Sequence, residues 1–554
     1  MKEKIIKNRK LIDAFILIIA GFIVSIPLLK SNLNIYFDDG IQHIARAFGT
    51  LNSIYENGLY PNIISSFTNN FGYSWNLFYG PLSTYGLIIV KLIFVNYIIA
   101  YKIFVYIVLV LSSISMYKLA LKLINSNNAA LLASILYMTF PYHLTDLYSR
   151  NALGEFVSFL FIPLVFLGLY NLFYTEDKHY YIAIGAIGLL LTHNISTMLV
   201  AICSLFYIVF NLDKIKETRV KRGLLINIVF IILITSFFWS SLLETKFNAD
   251  YQVYEPGAMA SAEGAAYRGL NLKQLFVTKN DGSYIFELGP HIIIMLALSI
   301  MTFRMVRNEL KENYVIFLFL GLITLWMSTK YFPWKFLPDK LCIIQFPWRM
   351  LMLSGFFISL VCTINIYTIV KNFNFKDVLI ISIISIGYTI IFLSFLPIDE
   401  NIVEVDKWNL GQFTGKEKEI VSGAGGGEYL PAKAYEDRFY IATREDKIYV
   451  LEGNAKIQNE NKKGSNLTAN IKNVTSEYTI LELPYIYYPG YEIRLDGMIS
   501  DYFETEKGFI GIVIGAEEDA ELKVTYQGTK IMKVSMFISV ISLLVFSIYI
   551  WKKH

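Results

Sequence analysis

Two adjacent carboxylates, Asp38 and Asp39, stand in the stretch Tyr36-Phe-Asp-Asp-Gly-Ile-Gln-His-Ile-Ala-Arg46, directly after the first apolar segment. Neighbouring carboxylates repel unless they share a cation or a proton. Such a pair could hold a divalent ion, magnesium or manganese, or take the proton of a substrate hydroxyl. A helix starting at Gly40 sets Asp39, His43 and Arg46 at i, i+4 and i+7, on one face. Aspartate is also an ordinary helix cap at a membrane surface, and capping alone would account for Asp39.

Three further groups carry candidate chemistry. The turn Asp146-Leu-Tyr-Ser-Arg-Asn-Ala-Leu-Gly-Glu155 holds Arg150, whose planar, permanently charged fork suits phosphate. Tyr148 stands in the same turn, and Glu155 opens the next helix, where the dipole favours a carboxylate. His193-Asn194 interrupts an apolar stretch, either as a polar hairpin tip or as a ligand and proton carrier. Gln345-Phe-Pro-Trp-Arg349 begins another apolar run, where Trp348 suits an interfacial anchor and Arg349 an anionic headgroup.

The elements that must position these groups are membrane helices. The chain has 554 residues, 55% hydrophobic and 17% charged, with mean hydropathy +0.47. That composition fits a polytopic membrane protein. The net charge of +4 is small, and no nucleic-acid partner is expected. Cys203, Cys342 and Cys362 sit in or beside apolar runs without metal or redox spacing, as packing residues. Apolar runs near 11–30, 98–123, 128–145, 154–173, 179–193, 195–212, 222–243, 288–306, 313–329, 347–370, 376–396 and 531–551 predict about twelve transmembrane helices.

Basic residues tend to stay cytoplasmic. Placing Lys2 to Lys10 inside brings Lys118, Lys122, the cluster Lys214 to Arg222, Arg304 to Lys311, Lys371, Lys376, Lys552 and Lys553 to the same side. This requires 81–95 to be a juxtamembrane or re-entrant helix and 179–212 a hairpin broken at His193-Asn194. Both termini are then cytoplasmic, and loops 31–97, 244–287 and 330–346 lie outside a transmembrane domain spanning 1–396. Segment 397–530 changes character. After the polar, glycine-rich Ser422-Gly-Ala-Gly-Gly-Gly427, read as a flexible loop, alternating runs at 447–451, 478–483, 508–514 and 521–526 predict strands of an extracytoplasmic β-sandwich. A last helix, in 531–554, returns the chain to the cytoplasm.

No P-loop, GxGxxG, HExxH or GxSxG occurs. The layout instead resembles the GT-C superfamily of membrane glycosyltransferases, which carry an acidic motif in the first outer loop, where Asp38-Asp39 sits. Tyr79-Gly-Pro-Leu82, Leu147-Tyr-Ser-Arg-Asn-Ala-Leu-Gly-Glu155, Leu191-Thr-His-Asn194 and Phe346-Pro-Trp-Arg349 resemble the bacterial membrane family named after a 6-pyruvoyl-tetrahydropterin-synthase-related domain. The zinc histidines of a pterin synthase are not among them. Leu483-Pro-Tyr-Ile-Tyr-Tyr-Pro-Gly-Tyr491 with Leu495-Asp-Gly497 is similar to the C-terminal outer domain of YfhO-like membrane proteins.

The resemblance implies transfer of a sugar from a polyprenyl-phosphate carrier, at the outer face of the plasma membrane, to a cell-envelope glycan, lipid-linked polymer or protein. It implies Asp38 or Asp39 as base or metal ligand. Arg150, His193 and Arg349 would lie on the lipid phosphate, and His43, Arg46, Tyr148 and Glu155 around the substrate. Two other readings stay open at this level: a flippase or transporter of lipid-linked glycans, and a non-catalytic envelope assembly protein.

Overall fold

The computed structural model describes residues 2–29, 39–94, 96–175, 178–255, 260–276, 285–339, 342–395, 426–473, 477–516 and 519–553. Asp38, the residues 422–425 of the glycine-rich stretch and most of its approach lie outside the described residues.

Among the described residues, six helices are long and apolar enough to cross a membrane: Tyr97–Ile124, Leu153–Thr175, Asn308–Met327, Pro347–Ile369, Phe375–Ser394 and Lys530–Lys553. The pair Thr218–Ile234 and Ser236–Asn248, bent by 63°, makes a seventh if it is one span. This is fewer than the twelve or so expected from apolar runs, because an apolar run records burial and not an unbroken helix. The 128–145 run divides into Asn127–Met138 and Pro141–Tyr148. Pro141 holds Phe140 in extended conformation and offers no N–H to continue the ladder. The 179–212 run breaks at His193, where the sequence places the break, and the extended backbone of His193 caps the helix Asn194–Val209. Leu82–Ile93 has 12 residues, about 18 Å of helix, short of the ~30 Å hydrocarbon core.

The helices fix two opposite ends. At one end of Tyr97–Ile124 the Tyr101 hydroxyl donates to Asn151 Oδ1 at 3.4 Å. Toward the other, Tyr117 donates to the buried Asp13 at 2.6 Å. Arg9 pairs with Asp13 and reaches Asn128 at 2.8 Å. Glu155 begins the next long helix and Tyr174 ends it, roughly 28 Å further along. Lys214 lies over the Tyr174 ring at 3.6 Å and pairs with Glu312 at 2.9 Å. The basic residues Arg9 and Lys214 thus share the end remote from Arg150 and Glu155.

Residues 449–526 form two antiparallel sheets. Strands β1 (Tyr449–Glu452), β4 (Thr479–Ile486), β8 (Phe509–Ile514) and β7 (Phe503–Glu504) make one, in the order β1-β4-β8-β7. Strands β2 (Ala455–Lys463), β3 (Asn466–Asn473), β9 (Asp519–Tyr526), β5 (Tyr491–Leu495) and β6 (Met498–Ser500) make the other, in the order β2-β3-β9-β5-β6. Asp496 and Gly497, both at positive φ, turn β5 into β6, a conformation that Asp-Gly adopts readily. Inward residues of both sheets, Leu481, Ile512, Leu467 and Val524 among them, bury one apolar cluster.

That cluster also contains Ile63, Ile64, Phe67, Phe71, Tyr73, Trp75 and Phe78 from the first loop. The Ile486 N–H donates to Phe71 O at 3.1 Å, and Lys462 donates to Asn70 O at 2.8 Å. Arg444 and Glu482, both fully buried, pair at 3.1 Å, with the Arg444 guanidinium against Phe71, Tyr449 and Phe509. The β region is therefore built onto the loop that leads into Tyr79.

Candidate functional site

The four motifs interlock at the end of the helices next to the β region. The helix Gly40–Asn57 begins at Asp39, whose backbone N–H donates to the carbonyl of Arg150 at 3.1 Å. The Asp39 side chain is half-buried, and its carboxylate lies within electrostatic reach of Arg150 and the Tyr79 hydroxyl. One turn on, His43 is 6% exposed, and its Nδ1 is buried without a partner among the described residues. Burial, with the Arg46 charge beside it, lowers His43 to about 3.

Arg46 is fully buried. Its Nε donates to Asn76 Oδ1 at 3.0 Å, and its Nη1 and Nη2 donate to the carbonyls of Gly80 and Tyr79 at 3.1 and 2.8 Å. The guanidinium therefore shapes the Tyr79-Gly80 loop from beneath. That loop is clamped from above as well. Asn194 Nδ2 donates to Phe78 O at 3.0 Å, and the Leu82 N–H donates to Leu191 O at 2.7 Å. A Cβ on Gly80 would lie 2.4 Å from the Leu191 carbonyl carbon, so only glycine allows this approach.

Tyr79 stands between the two histidines, its ring 6.1 Å from His43 and 5.9 Å from His193. Its hydroxyl abuts Gly154, where an added Cβ would meet it at 2.2 Å. His193 Nδ1 accepts the Ser196 N–H at 3.3 Å. With Nδ1 occupied as an acceptor, neutral His193 carries its proton on Nε2.

The ionic core follows. Arg150 Nη1 donates to Asp146 Oδ1 at 2.6 Å, Glu155 Oε2 at 2.9 Å and Tyr142 Oη at 3.0 Å. Arg349 Nε donates to the same Glu155 oxygen at 3.2 Å, and its Nη1 to Gln345 Oε1 at 2.8 Å and Ile344 O at 3.0 Å. Tyr142 donates to Glu155 Oε1 at 2.7 Å. Asp146, Arg150, Glu155 and Arg349 are all under 10% exposed, and a buried charge demands partners of this kind. Asp146 Oδ2 has no partner among the described residues. Burial and the adjacent Glu155 raise Asp146 well above the carboxylate range.

The sequence-selected residues thus divide. Asp39, His43, Arg150, Glu155, His193 and Arg349 gather around Tyr79 and Gly154. Arg46 supports the loop under them. Tyr148 spends its hydroxyl on Val24 O at 2.7 Å, tying the first helix to this turn. Asp38 lies outside the described residues. Among those described, no three His, Cys, Asp or Glu side chains come together as a metal site. The proton chemistry considered below rests on Asp39 itself. Tyr79, Tyr142 and Asp146 join the site without having been selected individually, although each stands in or beside a selected motif.

Apolar membrane helices carrying a buried ionic network at one end, under a two-sheet β region, define a helical membrane protein. More narrowly, the chain belongs to the family described as 6-pyruvoyl-tetrahydropterin synthase related domain, membrane protein, whose model matches residues 77–399. An uncharacterized protein of Lactococcus lactis subsp. cremoris (strain MG1363) is 26% identical over 343 residues, covering 59% of this chain and 54% of that one. The chain thus spans about half the length of the curated relative it matches. The mycobacterial arabinofuranosyltransferase AftD is similar with a TM-score of 0.47 and 13% identity, over 70% of this chain and 27% of AftD. A structure of an AftD mutant gives 0.44 and 13%, over 70% and 28%.

Proposed function

We propose that this protein is a membrane glycosyltransferase that moves a sugar from a polyprenyl-phosphate carrier to a cell-envelope acceptor at the outer face of the plasma membrane. The observation that carries the reading is the seating of Asp39 on Arg150, with Arg349 joined to Arg150 through Glu155. A half-buried carboxylate suited to accept a proton stands beside two buried guanidinium groups suited to a phosphate.

In the proposed reaction Asp39 takes the proton of the acceptor hydroxyl. The acceptor oxygen bonds to the anomeric carbon, and the bond from that carbon to the carrier phosphate breaks. Polyprenyl phosphate leaves with the electron pair, held by Arg150 and Arg349, and Asp39 then returns its proton to water. His193 Nε2–H is available as a donor to the phosphate or the sugar. The outer-face assignment is supported by the location of Arg9 and Lys214 at the opposite end of the helices, since basic residues favour the cytoplasmic side.

A photoreactive polyprenyl phosphate tests the reading with the full-length protein in proteoliposomes. It should label peptides containing Arg150 or Arg349, and excess undecaprenyl phosphate should compete. Absence of competed labelling would contradict it.

A further inference from the structure

Arg349 is held by a turn whose backbone a glutamine seldom adopts. Gln345 has φ +63°, in the left-handed region, which residues other than glycine rarely occupy. Such a conformation persists only where its surroundings hold it. The same turn gives Arg349 two acceptors, Gln345 Oε1 and Ile344 O, at 2.8 and 3.0 Å. The direction of the Arg349 guanidinium therefore depends on the Gln345 peptide.

That peptide is held from outside the turn by Arg268, a half-buried residue of the 244–287 loop. Its Nη1 donates to Gln345 O at 2.7 Å, a charge-assisted bond between distant parts of the chain. The guanidinium carbons of Arg268 and Arg349 lie 5.4 and 5.1 Å from the centroid of the same Phe346 ring. From Phe346 an aromatic stack runs back to the ionic core: Phe346 to Trp348 at 4.6 Å, Trp348 to Phe286 at 5.1 Å and Phe286 to Tyr142 at 6.2 Å. Tyr142 donates to Glu155, the carboxylate that Arg349 also meets.

Arg268 stands on a well-anchored piece of its loop. The helix Ala262–Arg268 is capped by Ser261, whose hydroxyl accepts the Gly264 N–H at 3.0 Å. The Ala262 N–H donates to Asp339 Oδ1 at 2.7 Å. Just past the helix, the Leu270 N–H donates to Ser328 O and the Lys330 N–H to Leu270 O, each at 3.0 Å. A Cβ on Gly269 would lie 2.5 Å from the Lys330 nitrogen, so the two segments touch there.

We propose that Arg268 is a positioning residue for Arg349: its bond to Gln345 O holds the left-handed turn, and the turn aims the Arg349 guanidinium at the carrier phosphate. This rests on the glycosyltransferase reading and adds to it that the 244–287 loop sets how tightly the carrier is held. Arg268 acts through the turn and not on the phosphate.

The test is competition of photolabelling by undecaprenyl phosphate, measured with the full-length protein in proteoliposomes. R268M keeps an apolar stem against Phe346 and removes the donor. It should raise the half-competing concentration of undecaprenyl phosphate about tenfold or more, as expected for loss of a charge-assisted hydrogen bond, and reach the parent's labelling at saturating photoprobe. Glycine adopts positive φ without restraint. R268M added to Q345G should therefore cost less than about threefold relative to Q345G alone, the coupling expected of two residues that act through one turn. Q345G also removes Oε1, so the comparison is made within that background. An unchanged carrier affinity in R268M would overturn the proposal. An equal loss in the parent and Q345G backgrounds would overturn it as well, because Arg268 would then act independently of the turn. A parent protein without competed labelling would overturn the glycosyltransferase reading, and the positioning role with it.

Discussion

The backbone N–H of Asp39 donates to the carbonyl of Arg150 at 3.1 Å. This one bond fixes the acidic loop after the first helix to the turn that carries the ionic core. Because it uses main-chain atoms, the bond does not depend on the Asp39 side chain. Asp39→Asn should keep the bond and unfold within about 0.5 kcal/mol of the parent; a thermal melt in detergent checks this. A large loss of stability would make Asp39 a structural residue.

Glu155 is the acceptor on which Arg150, Arg349 and Tyr142 converge. Glu155→Ala strands two buried guanidinium groups, and breaking a buried pair by removing one partner costs roughly 3–5 kcal/mol. The variant should show a sharply lower melting temperature and reduced yield. Glu155→Gln retains an acceptor and should lose less. Equal stability of all three proteins would mean that the network does not hold the site together.

Gly80 and Gly387 make a matched pair. A Cβ at Gly80 would run into the backbone of Leu191 and Thr192, whereas at Gly387 nothing lies within 4 Å. Gly80→Ala must push apart the joint between the first loop and the His193 turn, while Gly387→Ala should be neutral or slightly stabilising, as alanine favours a helix by up to about 1 kcal/mol. Comparing the two melting temperatures checks this directly.

His43 gives the pH dependence its sign. Its folded value, lowered to about 3 by burial and by Arg46, lies below its unfolded value of about 6.5. Between these values the unfolded chain binds the extra proton, so stability rises with pH across that window and falls as pH drops below about 6.5. His43→Gln should flatten the part of the slope between pH 6.5 and 4 that is due to this residue. Melting temperatures of parent and variant across that range would show it, and parallel slopes would contradict it.

Much of this was legible in the sequence, for identifiable reasons. Strands β1, β4, β8 and β9 announce themselves by alternation of Ile, Val and Leu. Strands β2 (Ala455–Lys463) and β3 (Asn466–Asn473) are mostly polar, so their period is masked. Arg150 and Glu155 were visible as charges beside apolar runs, but that Glu155 also bridges to Arg349 is a tertiary fact that no local spacing encodes. Arg46 reads as a substrate contact because it shares a helix face with Asp39, whereas its partners are Asn76 and two backbone carbonyls far along the chain, which a sequence does not display. The break at His193 was legible as a polar pair inside an apolar stretch, whereas Pro141 splits the 128–145 run that, by length alone, counts as one span.

Sugar transfer by the Asp39→Asn protein tests the central claim most directly. Parent and variant, at equal amounts in proteoliposomes, would be given labelled polyprenyl-phosphate sugar and envelope acceptor, with product and released polyprenyl phosphate measured. The parent should turn over. The variant should bind the photoreactive carrier as the parent does but form product at least about a hundredfold more slowly, as expected when a positioned base is lost. Product formation by Asp39→Asn at the parent rate would contradict the assignment of Asp39 as the base and, with it, the proposed centre.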